Sequence, residues 1–305
     1  MLNNSQASTH IQEAVPATKQ PISKFPHPFK NFLRFIFGFF SFHFPLVNKN
    51  ITSYKNPEYK FLISLKKNRN RKSEMKSIAE GYRENLQLIE SNYEVDSLYI
   101  CNSLLIGDNN EELIQKFIAK NIRIVEVSEK IFKEISYRDR PDGILTLFNT
   151  KYHQISNNLS GPILIPDQIE KPGNLGTMIR TSKSFGINNI ILSDEVTDIF
   201  NPNVIRSSIG HIFNTNIWSS TNQELISILN KKDYQILLLD PDGEVDIEEF
   251  KPNINFALVV GAEQYGISDN WFESRHTSIR IRSTNNVDSL NASTAAAIGM
   301  WELTK

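Results

Sequence analysis

Short apolar segments alternate with helix-like segments throughout residues 161–305, and this alternation most constrains the fold. The apolar segments are nearly continuous, which is typical of strands buried on both faces. Strands separated by helices form parallel sheets, because each crossover connection lays a helix over the sheet. We therefore predict an α/β domain with a parallel sheet covered on both faces. The predicted strands are residues 163–167, 189–192, 235–239, 256–260 and 278–281, and the predicted helices are residues 176–186, 202–208, 223–230 and 289–300.

Residues 51–149 combine strand-like and helix-like segments in a second, smaller α/β domain. Ile114, Phe117 and Ile118 recur at helical spacing, which predicts a helix face packed in the core. The Asn- and Ser-rich residues 150–160 have no apolar period and predict a linker between the two domains. The predicted strands are residues 76–79, 97–100, 122–127 and 143–148, and the predicted helices are residues 83–90, 111–119 and 128–135.

The composition is that of an ordinary globular protein. The 305 residues, 40% hydrophobic and 22% charged, are enough for two domains of common size. A single cysteine, Cys101, excludes an internal disulfide framework or a thiolate metal cluster. Because it lies in an apolar run, we predict a small buried side chain without a functional role.

Positive charge is concentrated near the N-terminus, although the formal net charge of the chain is -1. Residues 1–50 carry a net charge of +4 and residues 51–76 carry +6, which leaves -11 for the rest of the chain. Residues 66–72 read KKNRNRK, a cluster suited to phosphate contacts that salt would weaken. A solvated basic loop explains the same run. The charge alone therefore leaves both interpretations open.

Residues 1–50 form a polar and aromatic extension that we interpret as accessory. Arg34, His43 and Pro45 interrupt its apolar part, which is shorter than the roughly 20 residues needed to span a bilayer. We therefore predict no integral membrane span. The apolar part also begins too late for a signal peptide and lacks a small-residue cleavage pattern. An organellar presequence, a membrane-surface or partner-docking segment, and untranslated sequence before the true start codon remain open.

Three polar motifs follow predicted strands of the C-terminal domain. They are residues 166–180 (PDQIEKPGNLGTMIR), residues 258–267 (LVVGAEQYGI) and residues 289–293 (SLNAS). In open α/β sheets, ligands bind at loops beyond the carboxyl ends of strands. Asn174 and Arg180 flank a predicted strand-to-helix turn, and the glycine pair of the second motif allows a tight turn near a ligand. Each motif alone has a structural explanation, with Asn174 or Ser289 as a helix cap, but their occurrence together in this order does not.

In order and spacing, these motifs resemble the signatures of the SpoU (TrmH-type) branch of the SPOUT RNA 2'-O-ribose methyltransferases. Residues 51–65, the basic cluster, Glu80-Gly81 and Asp142-Gly143-Ile144 resemble the ribosomal-protein-like RNA-recognition domain of the same family. The resemblance implies a deep trefoil knot in the C-terminal domain, S-adenosylmethionine as cofactor, no metal, and a homodimer. It also implies an RNA substrate, ribosomal RNA in preference to transfer RNA, and a cytoplasmic location, with organellar targeting by residues 1–50 left open.

The resemblance also assigns individual residues to the site. It implies a cofactor pocket lined by Gly261, Ile281 and Leu290, and active-site positions at Asn174, Arg180, Glu263, Ser289 and Asn291. The implied chemistry is an in-line attack of a ribose 2'-hydroxyl oxygen on a sulfonium-bound methyl group. Arg180 matches the residue proposed in this family to accept the hydroxyl proton. Because a guanidinium is ordinarily protonated, a phosphate clamp that orients the ribose is the alternative role.

The chain departs from the family pattern after Ile281. Relatives commonly continue with Pro-Met, whereas this chain has Arg282-Ser283, and Asp288 precedes the third motif. We expect these residues to place a charge pair near the cofactor loop and to alter cofactor affinity or substrate choice. A catalytically silent RNA-binding or assembly protein with the same scaffold is the rival interpretation. A nucleotide-binding α/β enzyme is disfavoured, because no complete Rossmann or P-loop glycine pattern occurs.

Overall fold

A computed structural model of the chain describes residues 47–107, 109–152, 155, 159–282 and 290–305. Residues from Pro45 to Lys305 form one compact unit that contains both predicted domains. The predicted extension lies outside the described residues, apart from its last four positions. Among the described residues, no helix is both long enough and apolar enough to cross a membrane.

The N-terminal domain is built on a mixed five-stranded sheet. Its strands are β1 (Val47–Ile51), β2 (Lys76–Glu80), β3 (Val95–Ile100), β4 (Arg123–Val127) and β5 (Ile144–Asn149). Its helices are α1 (Pro57–Ser64), α2 (Asn68–Glu74), α3 (Tyr82–Ile89), α4 (Asn110–Ala119) and α5 (Glu129–Ile135). The strand order is β1-β4-β3-β5-β2. β1, β4 and β3 run parallel, and β5 lies antiparallel between β3 and β2.

The predicted strands and helices of this domain are confirmed, with small shifts at their ends. Phe117 and Ile114 of α4 are buried as expected, and Cys101 is a buried free cysteine. The sequence patterns did not predict β1, which begins at Val47 within the predicted extension and pairs with β4. They also missed α2, because its sequence NRNRKSE has no apolar side chain that could produce a helical period.

The C-terminal domain contains a seven-stranded sheet in which every pair of neighbouring strands is parallel. Its strands are β6 (Ile163–Pro166), β7 (Asn189–Ser193), β8 (Asn216–Ser220), β9 (Gln235–Leu239), β10 (Val245–Asp246), β11 (Phe256–Val260) and β12 (Thr277–Arg280). Its helices are α6 (Pro172–Ser184), α7 (Pro202–Ser207), α8 (Asn222–Lys231), α9 (Asp269–Phe272) and α10 (Ala292–Thr304). The strand order is β10-β12-β9-β11-β6-β7-β8, so β11 and β6 occupy the middle of the sheet.

Helices cover both faces of this sheet, as the continuous apolar strands predicted. Every residue of the central strand β11 is buried. Leu258 packs in a cluster with side chains of α6, α7 and α10, whereas its neighbour Val259 packs with Leu225 of α8 and Trp271 of α9. Successive side chains of a strand point to opposite faces, so both faces need an apolar cover. The weaker patterns of β8 and β10 escaped prediction because these strands lie at the two edges of the sheet.

Two helices of this domain begin elsewhere than predicted. α6 begins at Pro172 and not at Gly176, because proline suits the first helical position, and it ends before Gly186, whose φ is +75°. Asn174 therefore lies in the first turn of α6 and does not cap it. Ser289, the predicted cap of the last helix, lies outside the described residues; Asn291 caps α10 instead. The chain path through residues 283–289 is likewise undescribed, and the trefoil knot stays a prediction.

An aromatic cluster joins the two domains. The ring of Phe148, from β5, contacts the rings of Phe213 and Phe200 edge-to-face, with centroid separations of 5.1 and 6.2 Å. Tyr93 contacts the same three rings. In addition, the hydroxyl of Ser77 donates a hydrogen bond of 2.6 Å to the carbonyl oxygen of Phe200. Aromatic pairs of this geometry contribute beyond their buried area, so the domains have a fixed contact inside the compact unit.

Gly176 lies where α6 packs closely against α7, and it gives a test of the fold. A Cβ at Gly176 would lie 2.6 Å from the carbonyl oxygen of Val204 and would overlap the Ser207 hydroxyl. We expect Gly176→Ala to lower the free energy of unfolding by about 1–3 kcal/mol, measured by urea denaturation.

Gly173→Ala is the matched control in the same helix, because a Cβ there meets no atom within 4 Å. We expect this change to leave stability unchanged or to raise it by up to about 1 kcal/mol. Equal effects of the two substitutions would contradict the close packing of α6 on α7.

Candidate active site

The three polar motifs meet at the carboxyl ends of the strands of the C-terminal sheet. Asn174 lies in α6, which follows β6, and Glu263 lies in the loop that follows β11. Asn291 immediately precedes α10. Because β6 and β11 are adjacent parallel strands, their carboxyl ends lie side by side. The candidate site therefore occupies the edge at which ligands bind in open α/β sheets.

Asn174 is the centre of a hydrogen-bond network that links all three motifs. Its side-chain amide nitrogen donates to Oε1 of Glu263. Its Oδ1 accepts a hydrogen bond from Nδ2 of Asn291 at 3.1 Å and lies 3.4 Å from the Ser293 hydroxyl oxygen. These bonds fix the orientation of the Asn174 amide. Asn174 thus contacts two further predicted active-site residues, Glu263 and Asn291.

The carboxylate of Glu263 keeps one oxygen free. Oε1 accepts from Asn174, whereas the buried Oε2 has no hydrogen-bond partner among the described residues. A buried acceptor without a partner is costly unless a ligand supplies a donor. The Glu263 carboxylate is therefore arranged to accept a hydrogen bond from a bound hydroxyl or amine.

Asn291 has a second role as the N-cap of α10. Its Oδ1 accepts hydrogen bonds from the backbone N–H of Ser293 at 3.0 Å and of Thr294 at 3.3 Å. The Ser293 hydroxyl donates to the same oxygen at 2.7 Å. This capping leaves the Asn291 amide nitrogen as the group that reaches the network. Sequence reasoning quoted Ser293 within the third motif but assigned it no role, although a hydroxyl beside the N-cap was a usable signal.

The loop after β11 is a tight turn, as its glycine pair predicted. Ala262 and Gly266 exchange two backbone hydrogen bonds of 2.9 and 3.0 Å, and Gly266 has a φ of +71°. A Cβ at Gly261 would overlap the backbone of Gly266 and Ile267. Only glycine fits this position, because the backbone of the turn itself occupies the space of a side chain.

Asp167 is a structural residue of the site that sequence reasoning missed. Its side chain is fully buried at the end of β6. Oδ1 accepts the Ser193 hydroxyl at 2.7 Å, and Oδ2 accepts the backbone N–H of Ser268 at 2.8 Å and the Ser268 hydroxyl. The carboxylate thus ties together the ends of β6 and β7 and the loop that follows β11. An acidic residue directly after a buried apolar strand was the only sequence signal for this role.

Arg180 stands apart from the Asn174 network. It lies on α6 six positions after Asn174, which corresponds to about 240° of rotation around the helix. Its side chain is exposed, and its guanidinium makes no hydrogen bond or ion pair within the described part of the chain. The neighbouring His211 has its pKa lowered by burial and then by the positive charges of Lys183 and Arg180. The Arg180 guanidinium is therefore available to a ligand.

The predicted cofactor residues flank the same sheet edge. Gly261 follows β11 and Ile281 follows β12, and β9 alone separates these two strands in the sheet. Ile281 is half-buried against the core, and Leu290 is 50% exposed just before α10. Ser289 and Asp288 lie outside the described residues.

Arg282 pairs with an acidic residue of β10, whereas Asp288, the other member of the expected charge pair, lies outside the described residues. Its guanidinium forms an ion pair with Asp246 of β10 and lies 3.9 Å from Glu249. Arg280 binds the same Asp246 carboxylate at 2.6 Å. Hydrogen bonds from Arg282 and then Arg280 lower the pKa of Asp246. The unusual Arg282 is thus held at the edge of the sheet by β10.

Family comparison agrees with this arrangement. Residues 161–301 match the family model described as the SpoU rRNA Methylase family. The C-terminal domain belongs to the SpoU family. Residues 56–146 match the MRM3-like substrate binding domain, which coincides with the N-terminal domain that precedes the SpoU domain. The resemblance inferred from the three motifs is confirmed.

Individual relatives and a solved structure are similar to the chain. The 23S rRNA (adenosine(1067)-2'-O)-methyltransferase of Streptomyces azureus is 31% identical over 144 residues, which cover 47% of this chain and 54% of that protein. The 23S rRNA (guanosine(2553)-2'-O)-methyltransferase RlmP of Bacillus subtilis (strain 168) is 26% identical over 228 residues, which cover 73% of this chain and 90% of that protein. The crystal structure of an AdoMet-bound rRNA methyltransferase from Sinorhizobium meliloti has 26% identity and a TM-score of 0.74, covering 83% of this chain and 96% of that one.

The Asp167 carboxylate gives a test of how the SpoU site is held together. Asp167→Asn removes the charge and turns an amide N–H₂ towards a donor that needs an acceptor. We expect the free energy of unfolding to fall by about 3 kcal/mol, measured by urea denaturation. Asp233→Asn, at an exposed position with a φ of +53°, is the control and should change stability by less than about 0.5 kcal/mol. Equal stability of Asp167→Asn and wild type would count against the tie that the Asp167 carboxylate makes.

Proposed function

We propose that this protein methylates a ribose 2'-hydroxyl in structured RNA, with S-adenosylmethionine as the methyl donor. Ribosomal RNA is the substrate that we prefer. The observation that carries the proposal is the contact of Asn174, Glu263 and Asn291 at the carboxyl edge of a SpoU-family sheet. The matching substrate-binding domain and the relatives named as 23S rRNA 2'-O-methyltransferases support an RNA substrate. Two-domain relatives are the reason for preferring ribosomal RNA to transfer RNA.

The residues at the sheet edge fit the expected cofactor. S-adenosylmethionine supplies a methyl group on a positively charged sulfur, which a hydroxyl oxygen can attack in line. Gly261 offers bare backbone in a tight turn, and we assign it to the cofactor pocket together with Ile281 and Leu290. The buried Oε2 of Glu263, which has no partner among the described residues, suits a hydroxyl or amine donor of the ligands.

The remaining roles are assigned by position. Asn174 and Glu263 orient the ribose, because their mutual hydrogen bond leaves one carboxylate oxygen for its hydroxyls. Asn291 and Ser289 bind the amino-acid part of the cofactor and the substrate. Arg180 either accepts the hydroxyl proton with help from an adjacent phosphate or clamps that phosphate and thereby orients the ribose.

A homodimer is part of the proposal. Leu290, Ile298 and Trp301 are exposed apolar side chains in and beside α10, and Trp301 contacts the Phe185 ring at the end of α6 at 5.7 Å. A second copy on this surface would bury them and would bring further side chains to the exposed Arg180. We also propose that the protein acts in the cytoplasm.

Cofactor binding and RNA methylation test the function itself. We expect the full chain to bind S-adenosylmethionine in a calorimeter. Mapping of 2'-O-methylated nucleotides in cells with and without the gene should show the loss of a ribosomal RNA mark. A folded protein without cofactor binding would support a silent RNA-binding protein, and loss of a mark in transfer RNA alone would overturn the preferred substrate.

Substitutions of Arg180 separate its two proposed roles. We expect Arg180→Ala to lower kcat for methyl transfer to RNA by roughly 100-fold, because a charge that acts in the transition state is lost. The Kd for S-adenosylmethionine should remain within about 2-fold of wild type. Arg180→Lys should keep much of the rate if Arg180 clamps by charge.

The matched control is Arg275→Ala, which removes an exposed arginine from the loop before β12, at the opposite edge of the sheet. Its kcat should equal that of wild type. Total loss of activity in Arg180→Lys with normal RNA binding would exclude the clamp by charge alone.

A further inference from the structure

Arg71 lies in the middle of the basic cluster but is buried, with a side-chain exposure of 3%. Its Nε and Nη2 donate to the same carboxylate oxygen of Asp198 at 2.8 and 2.7 Å. Its Nη1 donates to the carbonyl oxygens of Leu65 at 2.9 Å and Lys66 at 3.2 Å. Arg71 belongs to the N-terminal domain and Asp198 to the SpoU domain. The guanidinium therefore connects α2 of the substrate-binding domain to the SpoU domain.

Asp198 lies in the loop between β7 and α7. Hydrogen bonds connect this loop to the segment that precedes α6 in the candidate active site. The hydroxyl of the preceding residue, Thr197, donates to the carbonyl oxygens of Ile169 at 2.8 Å and Glu170 at 2.7 Å. Those two residues lie just before the first turn of α6, which carries Asn174. Asp198 itself is fixed from its other carboxylate oxygen by the backbone N–H of Phe200 at 2.9 Å. Hydrogen bonds and short chain segments thus connect α2 to Asn174.

The other cations of the cluster divide into two groups. Lys66 is held by the carbonyl oxygens of Glu134 at 2.7 Å and Ser136 at 3.0 Å. The side chains of Lys67, Arg69 and Lys72 are exposed and form no hydrogen bond or ion pair with any other residue that the structure describes, although the charge of Lys72 acts on the Glu195 carboxylate. They are therefore free for an anionic ligand. The cluster predicted from sequence as either a phosphate surface or a solvated loop is a helix with both structural and free cations.

We propose that Lys67, Arg69 and Lys72 bind phosphates of the substrate RNA, and that the Arg71–Asp198 pair positions them relative to Asn174. The inference deepens the proposed function and rests on it for the identity of the RNA. Exposed cations at the start of α2 and along it attract a polyanion of any sequence. A charge-assisted pair of defined geometry, buried between the domains, then fixes the distance from the bound phosphates to the ribose at the site. Arg71 is in this view a positioning residue that touches neither RNA nor cofactor.

The salt dependence of RNA binding tests the phosphate contacts without requiring catalysis. The probe is a fluorescent mixed-sequence RNA hairpin, and the measurement is the slope of log Kd against log salt concentration for the full chain. Each of Lys67→Ala, Arg69→Ala and Lys72→Ala should reduce the steepness of the slope by about 0.7–0.9.

Lys231→Ala is the matched control. Lys231 ends α8, which covers the face of the SpoU sheet opposite to the one that packs with Phe148 of the N-terminal domain. It should leave the slope unchanged. Slopes of the Lys67, Arg69 and Lys72 variants equal to that of Lys231→Ala would overturn the phosphate surface.

The positioning role is tested by the double variant Arg71→Met with Asp198→Leu. Replacing both partners of a buried pair by apolar residues avoids the unpaired charge that a single substitution leaves. We expect kcat/KM for ribosomal RNA, isolated from cells lacking the gene, to fall about 10-fold to 100-fold. The Kd for S-adenosylmethionine and the salt slope with the hairpin should stay at wild-type values, because the cofactor site and the free cations remain.

A folded double variant with wild-type kcat/KM would overturn the positioning role. If the double variant does not fold, Arg71→Lys replaces it; this change keeps the charge but loses the two-point contact, and it should lower kcat/KM in the same way. Failure of the proposed function is distinguishable, because the wild-type protein would then bind no cofactor or methylate no RNA while the hairpin slopes still report on α2.

Discussion

The carboxylate of Asp167 is the interaction on which the candidate site depends. It is fully buried, and it accepts hydrogen bonds from Ser193 and Ser268, two residues that lie far apart in sequence. Because β6, β7 and β11 are parallel, their loops emerge at one edge and need a common anchor. A single acceptor with charge-assisted bonds provides it. The positions of Asn174 and Glu263 follow from this anchor, since their loops begin at the strands that Asp167 joins.

The contact between the domains has the same logic on a larger scale. An apolar, aromatic contact through Phe148 joins the two domains, but apolar surfaces do not by themselves determine orientation. Directional bonds complete it: Ser77 to the backbone of Phe200, and Arg71 to Asp198. Such buried pairs are weak evidence for stability and are better understood through the geometry that they impose. An enzyme that holds RNA on one domain and reacts on the other requires that geometry.

The parts of the structure that local patterns determine were predictable from the sequence, and the parts that depend on distant partners were not. Apolar runs predicted the central strands, and three motifs predicted the edge at which they converge. The helix α2 has no apolar period, and Val47 began a strand where composition suggested an extension. The roles of Asp167 and Arg71 depend on partners that are 26 or more positions away along the chain. No local spacing distinguishes such a buried charge from its exposed neighbours.

The geometry of α6 supports the homodimer that we propose. Asn174 and Arg180 are separated by about 240° around the helix, so their side chains leave it in different directions. The face with Asn174 is closed by Glu263 and Asn291, whereas Arg180 is exposed to solvent. The Arg180 side chain therefore points away from the Asn174 network of its own copy. In the homodimer that we propose, the surface around the exposed Trp301 would contact a second copy, whose Arg180 guanidinium would approach the ribose held by Asn174.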